Sequence, residues 1–258
     1  MKISVYTSAF NIIQHGFKGW QNSISRACAF ADEVVVCINK SQDDTLIEFS
    51  KLGFKNLKIV VSDFSYEDPL LDGKVKNAAL QNCSGDILVQ LDIDEYIPEN
   101  QYSNWRLYAE HLFNNQDVDC YMIPALNLYK DWDHYKDITP KWYMHKRGFH
   151  RGPVAFARNA DGTVDTNRSD TCELIDAYGG LVRSALLPNT IQDLRNGSIF
   201  VVHFGYVDLD SRVERNQKFW DEHWKREAGG QEPPHKVHMS VDEFNEEYKS
   251  HQLNIEGL

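Results

Sequence analysis

The sequence predicts an α/β protein, a mostly parallel sheet flanked by helices, and three observations carry that reading. Apolar runs of strand length alternate with segments whose apolar residues recur every three to four positions. The runs are continuous rather than alternating, as in strands covered on both faces. One of them, Leu88-Val89-Gln90-Leu91, delivers Asp92, Asp94 and Glu95 at its carboxyl end, where open parallel sheets place their ligands.

In chain order, Ile3 to Tyr6 is a first strand, ended by Thr7-Ser8-Ala9 and Asn11. Gly16 to Ala31 carries Phe17, Trp20, Ile24, Ala27 and Cys28 at helical spacing. Glu33 to Ile38 is a buried strand. It runs into the polar loop Asn39 to Thr45, where Asp43 or Asp44 caps the next helix. Leu57 to Val61 is a third strand, and Lys74 to Cys83 a helix stopped by Ser84-Gly85 before the central strand Asp86 to Asp92.

Beyond Pro98, Tyr102 to Phe113 reads as a helix and Asp119 to Leu128 as a strand. Tyr129 to Arg158 is crowded with aromatics and bases, among them Trp132, Lys141, Tyr143 and His145. That composition fits either the rim of a cleft or a twisted hairpin that packs its rings inward. Residues Ala160 to Asp170 form a turn-rich loop. Ile199 to Tyr206 is another buried strand and Asp208 to Glu227 an amphipathic helix. Gly229-Gly230 ends it, and the tail after Pro233-Pro234 closes with a short helix from Asp242 to His251.

The chain of 258 residues, 42% of them hydrophobic, is long enough for one sizeable core. A net charge of -11 argues against a general binder of nucleic-acid backbones. The five cysteines, Cys28, Cys37, Cys83, Cys120 and Cys172, contain no Cys-x-x-Cys pair and read as free thiols of a reducing compartment. With no run of about 20 apolar residues and no signal-peptide pattern at Met1 to Tyr6, a cytoplasmic protein without a transmembrane segment is expected. There is no Gly-x-x-x-x-Gly-Lys loop and no His-Glu-x-x-His. His235 and His238 stand beside a Pro-Pro pair and read as exposed.

Alternation along the strand would put Asp92 and Asp94 on one side. Two carboxylates so placed repel unless water or a cation neutralises them, and hard oxygen ligands suit Mg²⁺ or Mn²⁺. The plainer alternative is an acidic turn after a buried strand.

Four pieces in order carry a family resemblance: Val5-Tyr6-Thr7 with Asn11, the strand Asp32 to Val36 leading into Asn39 to Thr45, the helix Lys74-x-Lys76-Asn77-x-Ala79-Leu80, and Gly85-Asp86-x-Leu88-x-x-Leu91-Asp92-x-Asp94-Glu95. Together they resemble the GT-A-fold, family 2 type glycosyltransferases over about the first hundred residues, and more loosely over Ile199 to Trp224. The resemblance implies one GT-A domain over 1–230, with a nucleotide-sugar-binding half (1–100) and an acceptor-side half (101–230) before a tail (231–258). It implies a nucleotide-sugar donor, a divalent metal at Asp-x-Asp, and inverting transfer to an acceptor hydroxyl.

By the same resemblance, Thr7, Ala9 and Asn39 line the base, although Asn39 alternatively only forms a turn, and Lys74 lies near base or phosphates. Asp92 lies near ribose or metal, Asp94 is the metal ligand, and Glu95 stands behind them. His203 is a further metal or phosphate contact, or else a core histidine. Arg212, Arg215 and Lys218 reach the diphosphate or form a solvated helix face. Glu173 is the proposed base, with Asp131, Asp133, Asp170 and Asp176 as competitors. The implied acceptor is a glycan or lipid-linked sugar, with a protein side chain or modified nucleic-acid base left open by the Lys141 to Arg151 patch. Two other readings stand beside this one: a nucleotide- or sugar-binding module without turnover, and, further off, a phosphatase of the haloacid dehalogenase class.

Overall fold

Two halves of different construction share one sheet. The first is wholly parallel: β1 (Ile3–Ala9) lies between β2 (Glu33–Asn39) and β4 (Ile87–Gln90), and β3 (Leu57–Ser62) extends it beyond β2. The chain therefore runs outward through β1, β2 and β3 and returns on the other side of β1. That reversal opens a crevice at the carboxyl ends of β1 and β4, the place where doubly wound sheets hold ligands. The computed structural model describes residues 1–66, 68, 70–147, 157–158, 164–165, 183–214, 242 and 251–253.

The apolar runs behave as expected of parallel strands. Val34, Val36 and Ile38 of β2 pack on one face, with α1 (Trp20–Phe30). Val35 and Cys37 pack on the other, with Leu71, Val75 and Ala79 of α3 (Leu71–Gln81). A short α2 (Thr45–Ser50) links β2 to β3. Asp44 occupies its N-cap position without a side-chain bond, and Asp43 does the work instead, accepting from Thr45 N at 3.0 Å and from Gln14 N at 2.8 Å.

The second half is mixed. After β5 (Glu95–Tyr96), a 3-10 turn at Glu99–Gln101 leads into α4 (Tyr102–Asn114), whose Trp105 is fully buried. Then β6 (Cys120–Leu128) and β7 (His134–Lys146) form a long hairpin, and β7 joins the first half by pairing antiparallel to β4. A separate pair, β8 (Ala157–Arg158) with β9 (Val164–Asp165), is followed by β10 (Ser184–Leu186) on the edge of β6. Finally α5 (Ile191–Arg195), closed by a capping box from Thr190 and Asp193, precedes β11 (Val201–His203), which runs parallel to β6 and antiparallel to β5. The parallel character is thus confined to the amino-terminal half and to the flanks of β6.

Three expectations are revised and one open alternative is decided. The first helix begins at Trp20, not Gly16, because Gly16 (φ 66°) and Gly19 (φ 80°) turn the chain left-handed and hold 10–19 as a loop. The central strand ends at Gln90, and residues 92–95 are a turn closed by Glu95 N donating to Asp92 O at 3.1 Å. The expected tail helix does not reach His251: residue 242 is helical, whereas His251–Gln252 is a strand, β12, paired with β7. The crowded aromatic segment is a hairpin that buries Tyr129 and Tyr143, yet leaves Trp132 half exposed at its tip. The helix expected from Asp208 is present over 209–214, and its continuation lies outside the described residues. No described helix is long and apolar enough to cross a membrane.

Gly85 shows why the turn before β4 needs glycine. A Cβ there would lie 2.6 Å from Ser4 N and 2.7 Å from Ser4 Oγ, the hydroxyl that accepts from Gly85 N and donates to Glu33. Gly85→Ala should therefore lower unfolding stability by about 1–3 kcal/mol, the usual cost of overpacking, read as a lower denaturant midpoint; an unchanged midpoint would show that the β1 backbone yields without penalty.

Candidate functional site

The turn after β4 is fixed by charge. Asp92 accepts from Lys76 of α3 at 2.8 Å and from Lys141 of β7, while its own N–H donates to Glu95 Oε2 at 2.7 Å. Glu95, buried, also accepts from Tyr143 Oη at 2.7 Å and from Lys141 at 3.3 Å. Burial alone would raise the Asp92 carboxyl, but the charges of Lys141 and Lys76 and their hydrogen bonds override it and hold the group far below the ordinary carboxylate range. Tyr143 is pushed the other way, first by burial and then by the Glu95 charge. Two lysines and two carboxylates form a neutral cluster tying α3, the turn and β7 together.

Asp94 faces elsewhere. Its Oδ2 lies 3.4 Å from His203 Nε2 and 3.5 Å from Arg212 Nη1, and its backbone oxygen accepts from Phe204 N at 3.0 Å. The register of β5 against β11, with Glu95 opposite His203, brings the two together. Gly205 completes the arrangement: a Cβ there would stand 2.5 Å from Asp94 Oδ2, 2.7 Å from His203 Nε2 and 3.0 Å from Arg212 Nη1. Tyr206 lies 4.6 Å beneath the Arg212 guanidinium, with the Lys136 ammonium 4.5 Å from the same ring. Acid, imidazole and guanidinium thus converge where no side chain other than glycine fits.

Of these groups Asp94 and Gly205 border a cavity of about 180 Å³, lined also by Phe204, by Gly16, Lys18 and Gly19 of the loop after β1, and by Trp132 of the hairpin tip, while His203 and Arg212 stand behind them. It opens at the crevice that the strand order creates. Lys18 pairs with Asp208 at 2.7 Å on its rim, and that bond, with two more from Ser211, holds Asp208 down at about 2. Asp208 is consequently a weak proton acceptor.

Among the residues singled out from sequence, Asp94, His203 and Arg212 meet in one site. The shared side predicted for Asp92 and Asp94 is not observed, because the strand ends before them and the turn sends Asp92 to two lysines. Asn39, fully buried, donates to Phe64 O at 3.1 Å and accepts from Ser62 Oγ at 3.0 Å and Phe64 N at 2.9 Å, which ties the ends of β2 and β3. Thr7 and Ala9 are buried at the end of β1, and the Thr7 hydroxyl has no hydrogen-bond partner among the described residues. Lys74 of α3 pairs with Asp68, which precedes the helix. Asp131 pairs with His134 at 2.8 Å and accepts from Asp133 N. Glu173, Asp170, Asp176, Arg215 and Lys218 lie outside the described residues. Sequence reasoning missed Lys18, Gly205, Asp208 and the pairing role of Lys76. Of these only Gly205, directly after a buried histidine-bearing strand, carried a local signal.

The fit of a divalent ion can be tested on these atoms. Two ligand atoms on one small ion, each about 2.1 Å away, are roughly 3 Å apart at a right angle, close to the 3.4 Å between Asp94 Oδ2 and His203 Nε2. The bare Gly205 leaves room beside them. Among the described residues no group of three or more acids, histidines or cysteines is gathered for a metal. An ion here would draw its remaining ligands from water or a bound anion.

No family model and no curated protein sequence matches the chain. Among solved structures it is similar to S. aureus TarS 1-349, at 15% identity and TM-score 0.48 over 87% of this chain and 72% of that one. The same fragment in complex with UDP-GlcNAc gives 15% identity and TM-score 0.44 over 87% and 73%. M. tuberculosis glucosyl-3-phosphoglycerate synthase gives 21% identity and TM-score 0.34 over 48% of this chain and 44% of that one. The chain spans only 22% of the longer TarS chain, at 24% identity and TM-score 0.36.

Two outcomes follow from the geometry. Asp92→Asn leaves Lys76 and Lys141 short of a counter-charge and should destabilise the fold by about 3 kcal/mol, the low end for breaking a buried pair. Because the folded carboxyl is depressed, its contribution is complete above the unfolded value of about 4 and is lost as pH falls below it. The acid limb of the stability profile below pH ~4 should accordingly flatten in the variant, and an unaltered limb would contradict the assignment. Gly205→Ala should leave the fold intact but push Asp94, His203 and Arg212 apart, visible as chemical-shift changes in the His203 ring with an unfolding midpoint within about 1 kcal/mol of the parent.

Proposed function

We propose that the protein is a metal-dependent inverting glycosyltransferase, moving a sugar from a nucleotide-sugar donor to an acceptor hydroxyl. One observation carries the reading: Asp94, which lines a glycine-bordered cavity at the switch point of a parallel sheet, is met by His203 and Arg212 across Gly205. A sugar diphosphate concentrates negative charge, and a protein of net charge -11 needs local cations to receive it. Arg212, beside Asp94, supplies fixed positive charge next to the cavity, and Lys18 stands on its rim paired with Asp208.

Asp94 and His203 would hold Mn²⁺ or Mg²⁺, which when bound supplies a Lewis acid for the departing diphosphate. The chain's own residues do the rest. Arg212 places a guanidinium beside the same carboxylate. Trp132 offers an apolar wall on which a sugar ring can pack. Glu173 is the proposed base that takes the acceptor proton, and Asp208, held near 2 by Lys18, is poorly suited to that task. Thr7 and Ala9, at the end of β1, are the proposed base-side positions. The domain assignment, one unit over 1–230 with a donor half and an acceptor half, belongs to the same proposal.

The test is a thermal-shift screen of nucleotide sugars with and without Mn²⁺, followed by product analysis. A ligand at one hundred times its dissociation constant should raise stability by about 2.7 kcal/mol. Asp94→Ala should keep the parent's midpoint, lose the Mn²⁺-dependent part of the shift and reduce transfer at least a hundredfold. Saturable binding without turnover in the parent would favour a binding module; metal-independent transfer by Asp94→Ala would sink the proposal.

A further inference from the structure

We infer that Asn127 is a positioning residue that fixes the tautomer of His203, so that the Nε2 lone pair faces the cation position beside Asp94; the inference rests on the functional reading above for its purpose, but not for its geometry. Asn127 is a buried residue of β6, and its side-chain oxygen lies 2.6 Å from His203 Nδ1. Either atom of that pair can in principle be donor or acceptor, so the direction must come from elsewhere. It comes from the other end of the amide. Asn127 Nδ2 lies 2.5 Å from Asp137 Oδ1 and 3.0 Å from Thr139 Oγ1, both on β7. Lys136 pairs with Asp137 Oδ2 at 3.2 Å, and an ionised carboxylate only accepts. The amide must therefore point its NH₂ at Asp137 and its oxygen at His203.

An amide oxygen cannot donate, so His203 Nδ1 carries the proton. In the neutral ring Nε2 is then unprotonated, and this is the atom 3.4 Å from Asp94 Oδ2 and within 2.7 Å of where a Cβ on Gly205 would stand. Two acceptors face each other across the gap that glycine leaves open, and a shared cation reconciles them. Metal-bound histidines ordinarily have their second nitrogen fixed in this way by an oxygen acceptor. Here the fixing group is fixed in turn, through Asp137 and Lys136. The Lys136 ammonium also lies against the Tyr206 ring, the same ring that packs on Arg212 and lies edge-on to His203, with centroids 5.3 Å apart. Orientation is thus passed from β7 to the His203 ring by groups with one permitted donor direction each.

The test reads the tautomer directly, by long-range ¹H–¹⁵N NMR of histidine-labelled protein without metal, at a pH where the ring is neutral. The His203 signals are assigned by their loss in His203→Gln. The parent should show Nδ1–H with unprotonated Nε2; Nε2–H in the parent overturns the inference at once. Asn127→Leu should shift the population toward Nε2–H and weaken Mn²⁺ binding, followed by calorimetry, by about ten- to a hundredfold. A folded Asn127→Leu protein that keeps the parent tautomer also overturns it. Should that variant not fold, Asp137→Asn keeps Asn127 but removes the obligate acceptor, and a mixed tautomer is expected; an unmixed Nδ1–H there overturns the relay. If the parent shows the expected tautomer yet binds no Mn²⁺, the metal-dependent function fails while the positioning role stands.

Discussion

The ionic clamp on residues 92–95 is the constraint from which the rest of the site follows. Lys76 and Lys141 arrive from opposite directions in the chain, one from the helix before β4 and one from the hairpin after it, and both close on Asp92. Removing four charges from water costs several kcal/mol each, and their mutual attraction repays this only with close geometry and satisfied hydrogen bonds. Glu95, Tyr143 and the Asp92 amide provide those bonds. The net stabilisation is modest by this reasoning, but the geometric consequence is large: with Asp92 and Glu95 pinned to one side, the intervening turn can present Asp94 only to the other. The two aspartates of one short motif have separate tasks, one holding the turn and the other facing the cavity.

The second constraint is steric. The parallel half supplies Asp94 and the loop after β1, while the mixed half supplies His203, Phe204 and Arg212, so the site lies where two constructions meet. They can approach because glycine stands at both points of contact. At Gly19 a Cβ would come within 2.9 Å of the Phe204 ring, and at Gly205 it would strike Asp94. Phe204 packs in the apolar cluster of the mixed half, so its ring fixes how near the loop after β1 can come. The cavity width is therefore set by core packing, which yields little.

Much of this was legible in the sequence, and the failures have physical causes. The run at 33–38 announced a buried strand because both faces of β2 are covered, the run at 57–61 announced β3, an edge strand left partly exposed, and the acid-bearing end of β4 marked the candidate site. Alternation failed for Asp92 and Asp94 because it assumes extended backbone, and the strand ends at Gln90. The clamp was invisible because Lys76 sits on a helical pattern and Lys141 in an aromatic hairpin; nothing local records that they converge. Strands of two residues, such as β5, β8, β9 and β12, are too short to show a period, and their existence depends on partners distant in sequence. Asn127 carried a local signal that the sequence reading did not use: a lone amide in Ile123-Pro124-Ala125-Leu126-Asn127-Leu128.

That lone amide shows why buried polar residues deserve more weight than buried apolar ones when a site is sought. An apolar side chain in a core can often be exchanged for another of similar volume, so its presence says only that the position is covered. A buried amide costs desolvation unless its donors and acceptor are all matched, so its presence implies particular neighbours. Asn127 has three such neighbours, Asp137, Thr139 and His203, and they lie on two different strands flanking β6. The same logic separates the two aspartates. Asp92 is held at 2.8 Å by Lys76 in a cluster that balances its charge, as a stabilising group should be. Asp94 meets His203 at 3.4 Å and Arg212 at 3.5 Å, groups of the mixed half, beside a cavity and a glycine.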